Sequence, residues 1–196
     1  MANRFTWALS AAIVLASARA ASAQFTTSDV WSAAGVTGVV DEADRSMVQF
    51  NSTGSVSIKS SVTSGTLDLR YQVHTMPSHE VANQSDCTEM RAVLRDTGAG
   101  ARVILRLMRL DIRDRTGQLT SLGGIDSNTS VRWNRLGEPT AYALYSACLN
   151  VPDTGQPFDF AFYTYYVDAQ LIKSTSTANP GSMAVQICHT NEHCEP

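Results

Sequence analysis

Five groups of residues have types and spacings that could carry chemistry. The segment His74-Thr-Met-Pro-Ser-His79-Glu80 brings two imidazoles and a carboxylate together. Such groups serve as acid and base near neutral pH or hold a metal. The tail Cys188-His189-Thr190-Asn191-Glu192-His193-Cys194 offers two thiols and two imidazoles, a donor set that zinc accepts. Its spacing matches no zinc finger, and thiols in an exported chain oxidise, so no metal is assigned. Asp41, Glu42 and Asp44 could supply oxygen ligands to calcium, but their spacing fits no defined calcium loop. They read as an exposed acidic turn. Arg91, Arg95, Arg102 and Arg106 could grip carboxylate, sulfate or phosphate through bidentate forks. The run Phe158-Asp-Phe160-Ala-Phe162-Tyr-Thr-Tyr-Tyr166 could stack on sugar rings or drive association through Phe158, Phe160 and Phe162, but it reads more readily as a central strand buried on both sides. The chain has no nucleophile elbow, P-loop or dinucleotide fingerprint. Catalysis therefore has weak support, and a hydrolase built on the His74/His79 loop ranks behind non-enzymatic readings. No cofactor is implied.

The elements that must position these residues are strands. Cys87 to Asp111 reads as a β-hairpin, with arms CTEMRAVLRD and ARVILRLMRLD and the tip TGAG. Met90, Ala92 and Leu94, then Val103, Leu105 and Leu107, occupy one parity, and the four arginines occupy the other. Period-2 alternation marks a strand with one buried and one wet face. Gly98 and Gly100 supply the positive φ of a short loop. If the arms pair, the four guanidinium groups converge on one patch suited to an acidic polymer. The alternative is a solvated face in which the arginines pair with Glu89, Asp68 or Asp168.

Further strands are expected at Ser46–Asn51, Ser55–Lys59, Thr66–His74, Gln118–Leu122, Val131–Trp133, Ala141–Leu149, Phe158–Lys173 and Met183–Cys188. Gly, Ser, Asn and Pro separate them, and no window outside the N-terminus has a helical period. That pattern predicts an all-β fold, an antiparallel β-sandwich of jelly-roll type in one domain, with a closed β-barrel as the alternative.

Residues 1–23 have a basic start, an apolar run and the small-x-small end Ala21-Ser22-Ala23. They predict a signal peptide with the mature domain at 24–196, secreted or periplasmic, and no membrane span. Without the leader, 13 basic side chains face 18 acidic ones. An acidic balance argues against nucleic acid as a partner. Cys87, Cys148, Cys188 and Cys194 are then expected as disulfides. Cys148–Cys188 with Cys87–Cys194 is favoured because Cys148 and Cys188 both end strands. Cys188–Cys194 with Cys87–Cys148 is the alternative.

GTLDLRYQV, LRDTGAGARVILRL and MAVQIC resemble segments of small secreted bacterial proteins of β-sandwich form. The resemblance spans most of the mature chain and implies fold and export. That family brings no assigned activity, so no functional residue is carried over. The reading is a secreted binding module for carbohydrate or an acidic extracellular polymer, with a glycan or protein as partner. A structural or assembly subunit of the cell surface is the alternative.

Overall fold

The computed structural model describes residues 29–74, 88–113, 117–133, 142–151 and 158–189. Among the described residues, twelve strands form two antiparallel sheets. They are β1 (Asp29–Ala34), β2 (Val39–Val40), β3 (Val48–Phe50), β4 (Val56–Ile58), β5 (Gly65–Val73) and β6 (Thr88–Thr97). The chain continues with β7 (Ala101–Asp111), β8 (Leu119–Asp126), β9 (Val131–Trp133), β10 (Tyr142–Cys148), β11 (Tyr163–Lys173) and β12 (Asn179–His189). A seven-stranded sheet runs β3-β4-β12-β6-β10-β9, with β1 also on β12; a five-stranded sheet runs β2-β5-β11-β7-β8. The sheets do not close on each other, so the fold is a β-sandwich and the barrel alternative is set aside. Helical turns among the described residues are two three-residue 3₁₀ segments.

Alternation builds the core. Leu67, Leu69, Tyr71 and Val73 of β5, Met90, Ala92 and Leu94 of β6, Val103, Leu105 and Leu107 of β7, and Val167, Ala169 and Leu171 of β11 are all buried. Each large apolar side chain removed from water contributes roughly 1.5–3 kcal/mol. Between them lie Tyr145 of β10 and Ile187 of β12.

The expected hairpin between residues 87 and 111 does not form. β6 pairs with β10 and β12 in one sheet, and β7 pairs with β11 and β8 in the other. The TGAG turn carries the chain across the sandwich as an arch. Gly98 and Gly100 do have positive φ, 87° and 86°. The turn meets the 174–178 turn, where β11 crosses over to β12. The Gly100 carbonyl accepts from the Ser174 amide and from Ser174 Oγ, both at 3.0 Å. A Cβ on Gly98 would lie 2.4 Å from the Thr177 carbonyl oxygen. Two crossovers therefore stack on each other, and both sheets profit: β12 lies beside β6, and β11 beside β7. Alternation tells which face of an arm is buried. It is the same whether the partner is the next arm or a strand far along the chain.

Candidate ligand-binding face

The arch separates the four arginines. Arg91 and Arg95 lie on the outward parity of β6, on the seven-stranded sheet. Arg102 and Arg106 lie on the outward parity of β7, on the five-stranded sheet. The two outer faces look away from each other across a sandwich whose sheets are about 10 Å apart. A single four-arginine patch is thereby ruled out.

Each guanidinium also has local partners. Arg91 Nε donates to Glu89 at 3.2 Å, and both side chains are largely enclosed, at 13% and 20% exposure. Arg95 Nε donates to the Asn179 carbonyl at 3.2 Å and its guanidinium lies 5.1 Å from the centre of the Tyr142 ring. Arg102 makes a two-point ion pair with Asp126, whose carboxyl is held below the usual range mainly by that hydrogen bond. Arg106 Nη1 donates to Gln170 Oε1 at 3.2 Å, and Gln170 Nε2 passes the link to Asp68 at 3.0 Å. Of the partners expected from sequence, Glu89 holds Arg91, Asp68 is reached only through Gln170, and Asp168 faces Arg70 at 3.9 Å. Asp126 was not anticipated.

The aromatic run is not a flat exposed row. Phe158 to Phe162 precede β11 and form a turn around Asp159. The Ala161 amide donates to Asp159 Oδ1 at 3.0 Å, and the Tyr163 amide to the Asp159 carbonyl at 3.0 Å. Carboxylate side chains favour this local closure over an extended strand. Phe158 and Phe160 are partly buried and meet the Tyr165 ring edge-on at 5.0 and 5.1 Å. Phe162 is 44% exposed and sits under Arg113 at 4.5 Å. Nearby, Ile112 is 57% and Leu119 48% exposed, and the Ile112 amide donates to the Phe162 carbonyl at 3.0 Å.

What the register does assemble is the outer face of the five-stranded sheet. One cross-strand row is Gln72, Tyr166, Met108 and Ser121. The next is Arg70, Asp168, Arg106 and Gly124, and the one after it Asp68, Gln170, Ile104 and Asp126. Tyr166 stands at the centre, half-buried among its neighbours, with its phenol pushed up by burial and by Asp168. Burial raises the Asp168 carboxyl, and Arg70 only partly offsets this. Ile104 shares the outward parity of β7 yet is buried at 8% exposure, set between Gln170 and Asp126. Gly124 ends the charged row where β8 bulges against Arg106; a Cβ there would lie 1.9 Å from the Leu105 carbonyl oxygen. Sequence reasoning missed Tyr166, Gln72 and Gln170 as a group. Their parity was legible, but not that β5 and β7 flank β11.

The remaining candidates do not assemble. Asp41 Oδ1 accepts from the Ala43 amide at 3.1 Å, Asp44 Oδ2 from the Asp68 amide at 2.8 Å, and Glu42 faces Arg45 at 3.7 Å. These carboxylates cap a 3₁₀ turn and pin it to β5. Among the described residues, no three His, Cys, Asp or Glu side chains gather as a metal site. His74 is exposed just after β5, while His79, Glu80, His193, Cys87, Cys194 and residues 1–23, the expected signal peptide, lie outside the described residues. Among those described, no helix is long and apolar enough to cross a membrane.

The favoured Cys148–Cys188 pairing is corrected by register. Glu89 pairs with Cys148 on one side and with Cys188 on the other. Two strand spacings, about 9–10 Å, separate these cysteines, and a disulfide needs Cα atoms within roughly 7 Å. Cys148 is disulfide-bonded.

No family model matches the chain, and no curated protein matches it. Among solved structures, the fold is similar to a carbohydrate-binding module described for its specific mannan recognition. The two share 10% identity at a TM-score of 0.35, over 83% of this chain and 90% of that one. Agreement this loose aligns no individual residues.

Proposed function

We propose that this protein is an exported, non-enzymatic binding module that takes a glycan on the outer face of its five-stranded sheet. The observation that carries this reading is the register of that face. Tyr166 lies in a row with Gln72 and Met108, directly beside the row Arg70, Asp168, Arg106. A sugar ring presents C–H groups on its face and hydroxyls at its edge. An aromatic ring suits the first, and planar carboxylate, amide and guanidinium groups suit the second. The scaffold is rigid, because the three strands that carry the face also carry the core. Export with cleavage after Ala23 belongs to the same proposal, and N-terminal sequencing of secreted protein should begin at Gln24.

The test is retardation of the native protein in gels containing soluble polysaccharides. Wild type should be retarded by at least one, and Tyr166→Ala should migrate as in an empty gel. Equal retardation of both would remove the face from consideration.

A second reading, assembly at the cell surface, is favoured by the grouping of Ile112, Leu119 and Phe162 near one end of the same sheet. Contiguous exposed apolar side chains promote association. Light scattering on the native protein separates the two readings. A multimer that Phe162→Ser dissolves supports assembly, and a monomer at all concentrations supports the binding module.

A further inference from the structure

We infer that the ligand of this face is a neutral, hydroxyl-rich glycan and not an anionic polymer; the inference rests on the glycan reading above. Three guanidinium groups, Arg70, Arg102 and Arg106, share the face with three carboxylates, Asp68, Asp126 and Asp168. The face is neutral as a whole, and its signs are interleaved. In the central row Asp168 lies between Arg70 and Arg106, on strands about 4.8 Å apart. An anionic sugar drawn to either guanidinium would sit one strand from that carboxylate. Repulsion from Asp168 would offset the attraction.

Each cation also has a polar neighbour on the face. Asp126 takes Arg102, Gln170 takes Arg106, and Asp168 faces Arg70. Arg102 already gives Nε and Nη2 to Asp126, so an anion at its remaining N–H groups would sit beside that carboxylate. A neutral hydroxyl meets no such penalty, because it both donates and accepts. It can donate to Asp168 or Asp68 and accept from Arg70 or Arg106 without breaking the network. Neighbouring hydroxyls of one sugar suit a row that alternates donor, acceptor and donor. Asp168 is suited to this use. Its side chain is 24% exposed, and burial has already removed much of the water that a ligand hydroxyl would replace. Charge on the remainder of the mature chain, acidic overall, adds nothing to attract an anion.

The experiment measures retardation of the mature full-length protein by neutral probes (soluble β-glucan, xyloglucan, galactomannan, dextran) and by anionic ones (alginate, polygalacturonate, heparin), each at low and high salt. The expected result is retardation by a neutral probe that persists at high salt. Asp168→Asn should weaken it roughly tenfold, as expected for a lost hydrogen bond to a charged group. Gln72→Ala, at an exposed position that leaves folding intact, should weaken it measurably. Circular dichroism confirms that each variant is folded. Retardation by an anionic probe alone, abolished by salt and by Arg70→Gln, would overturn neutrality while leaving the glycan face standing. Retardation by no probe, or retardation untouched by Tyr166→Ala and Asp168→Asn, would overturn the face itself and this inference with it.

Discussion

β6 and β7 are consecutive, nearly equal in length, and patterned alike, with arginine alternating against aliphatic residues. They nevertheless end in different sheets with different surroundings. On β6 the outward Arg91 is enclosed with Glu89, while Arg95 donates to the Asn179 carbonyl and lies over the Tyr142 ring. On β7 the outward arginines join an open network with Asp126, Gln170 and, through Gln170, Asp68. Local pattern is thus a statement about one strand's two faces. The identity of its neighbours decides what a charged side chain can do.

At the core the two arms should be equivalent. Leu94 of β6 and Leu105 of β7 are both fully buried, in facing sheets. Leu94→Ala and Leu105→Ala should each cost about 2–5 kcal/mol in urea titrations. A small loss at either would mean that its sheet does not cover the core. Ile104→Ala should cost less than Leu105→Ala, although Ile104 is itself buried, because it packs on the outer face and outside the main cluster.

The outward arginines should then differ. Arg91→Gln leaves the enclosed Glu89 without its cation and should cost about 1–3 kcal/mol. Arg102→Gln should cost less, since solvent screens the Arg102–Asp126 pair, whose arginine side chain is 42% exposed. Equal losses in chemical denaturation would show that the two outer faces are alike.

The smallest effects concern two aspartates of the five-stranded face, and they have opposite signs. Asp126 has a lowered folded-state pKa, so its contribution is present above the ordinary aspartate range. It is lost as pH falls through the lowered value. Asp168 has a raised folded-state pKa, because burial penalises its charge. Its penalty applies at neutral pH and is relieved as pH falls through the raised value towards the ordinary one. Carboxyl chemical shifts followed by NMR should place Asp126 below and Asp168 above a model aspartate. The reverse order would contradict the network described here.

Much of the fold was legible because burial has a period. Leu67 to Val73, Met90 to Leu94 and Val103 to Leu107 point inward as alternation requires, and turn residues mark most strand ends. Pairing was not legible. TGAG satisfies a hairpin and an arch equally, since both need the positive φ of Gly98 and Gly100. The choice rests on contacts with Ser174 and Thr177, more than seventy residues away. The same long-range pairing hid the candidate site. Arg70, Tyr166 and Arg106 lie on three strands far apart in the chain, and only the order β5-β11-β7 makes them neighbours. The aromatic run misled for a different reason. Asp159 turns the chain before Tyr163, so Phe158 and Phe160 fold back onto Tyr165 and do not continue the strand.

The central claim is that the binding face belongs to the five-stranded sheet alone. It is tested most directly by the polysaccharide affinity of Arg95→Gln beside that of Arg106→Gln, both measured on folded protein. The account predicts that Arg95→Gln binds as wild type and that Arg106→Gln binds markedly more weakly. Equal weakening of both, or weakening by Arg95→Gln alone, would contradict it.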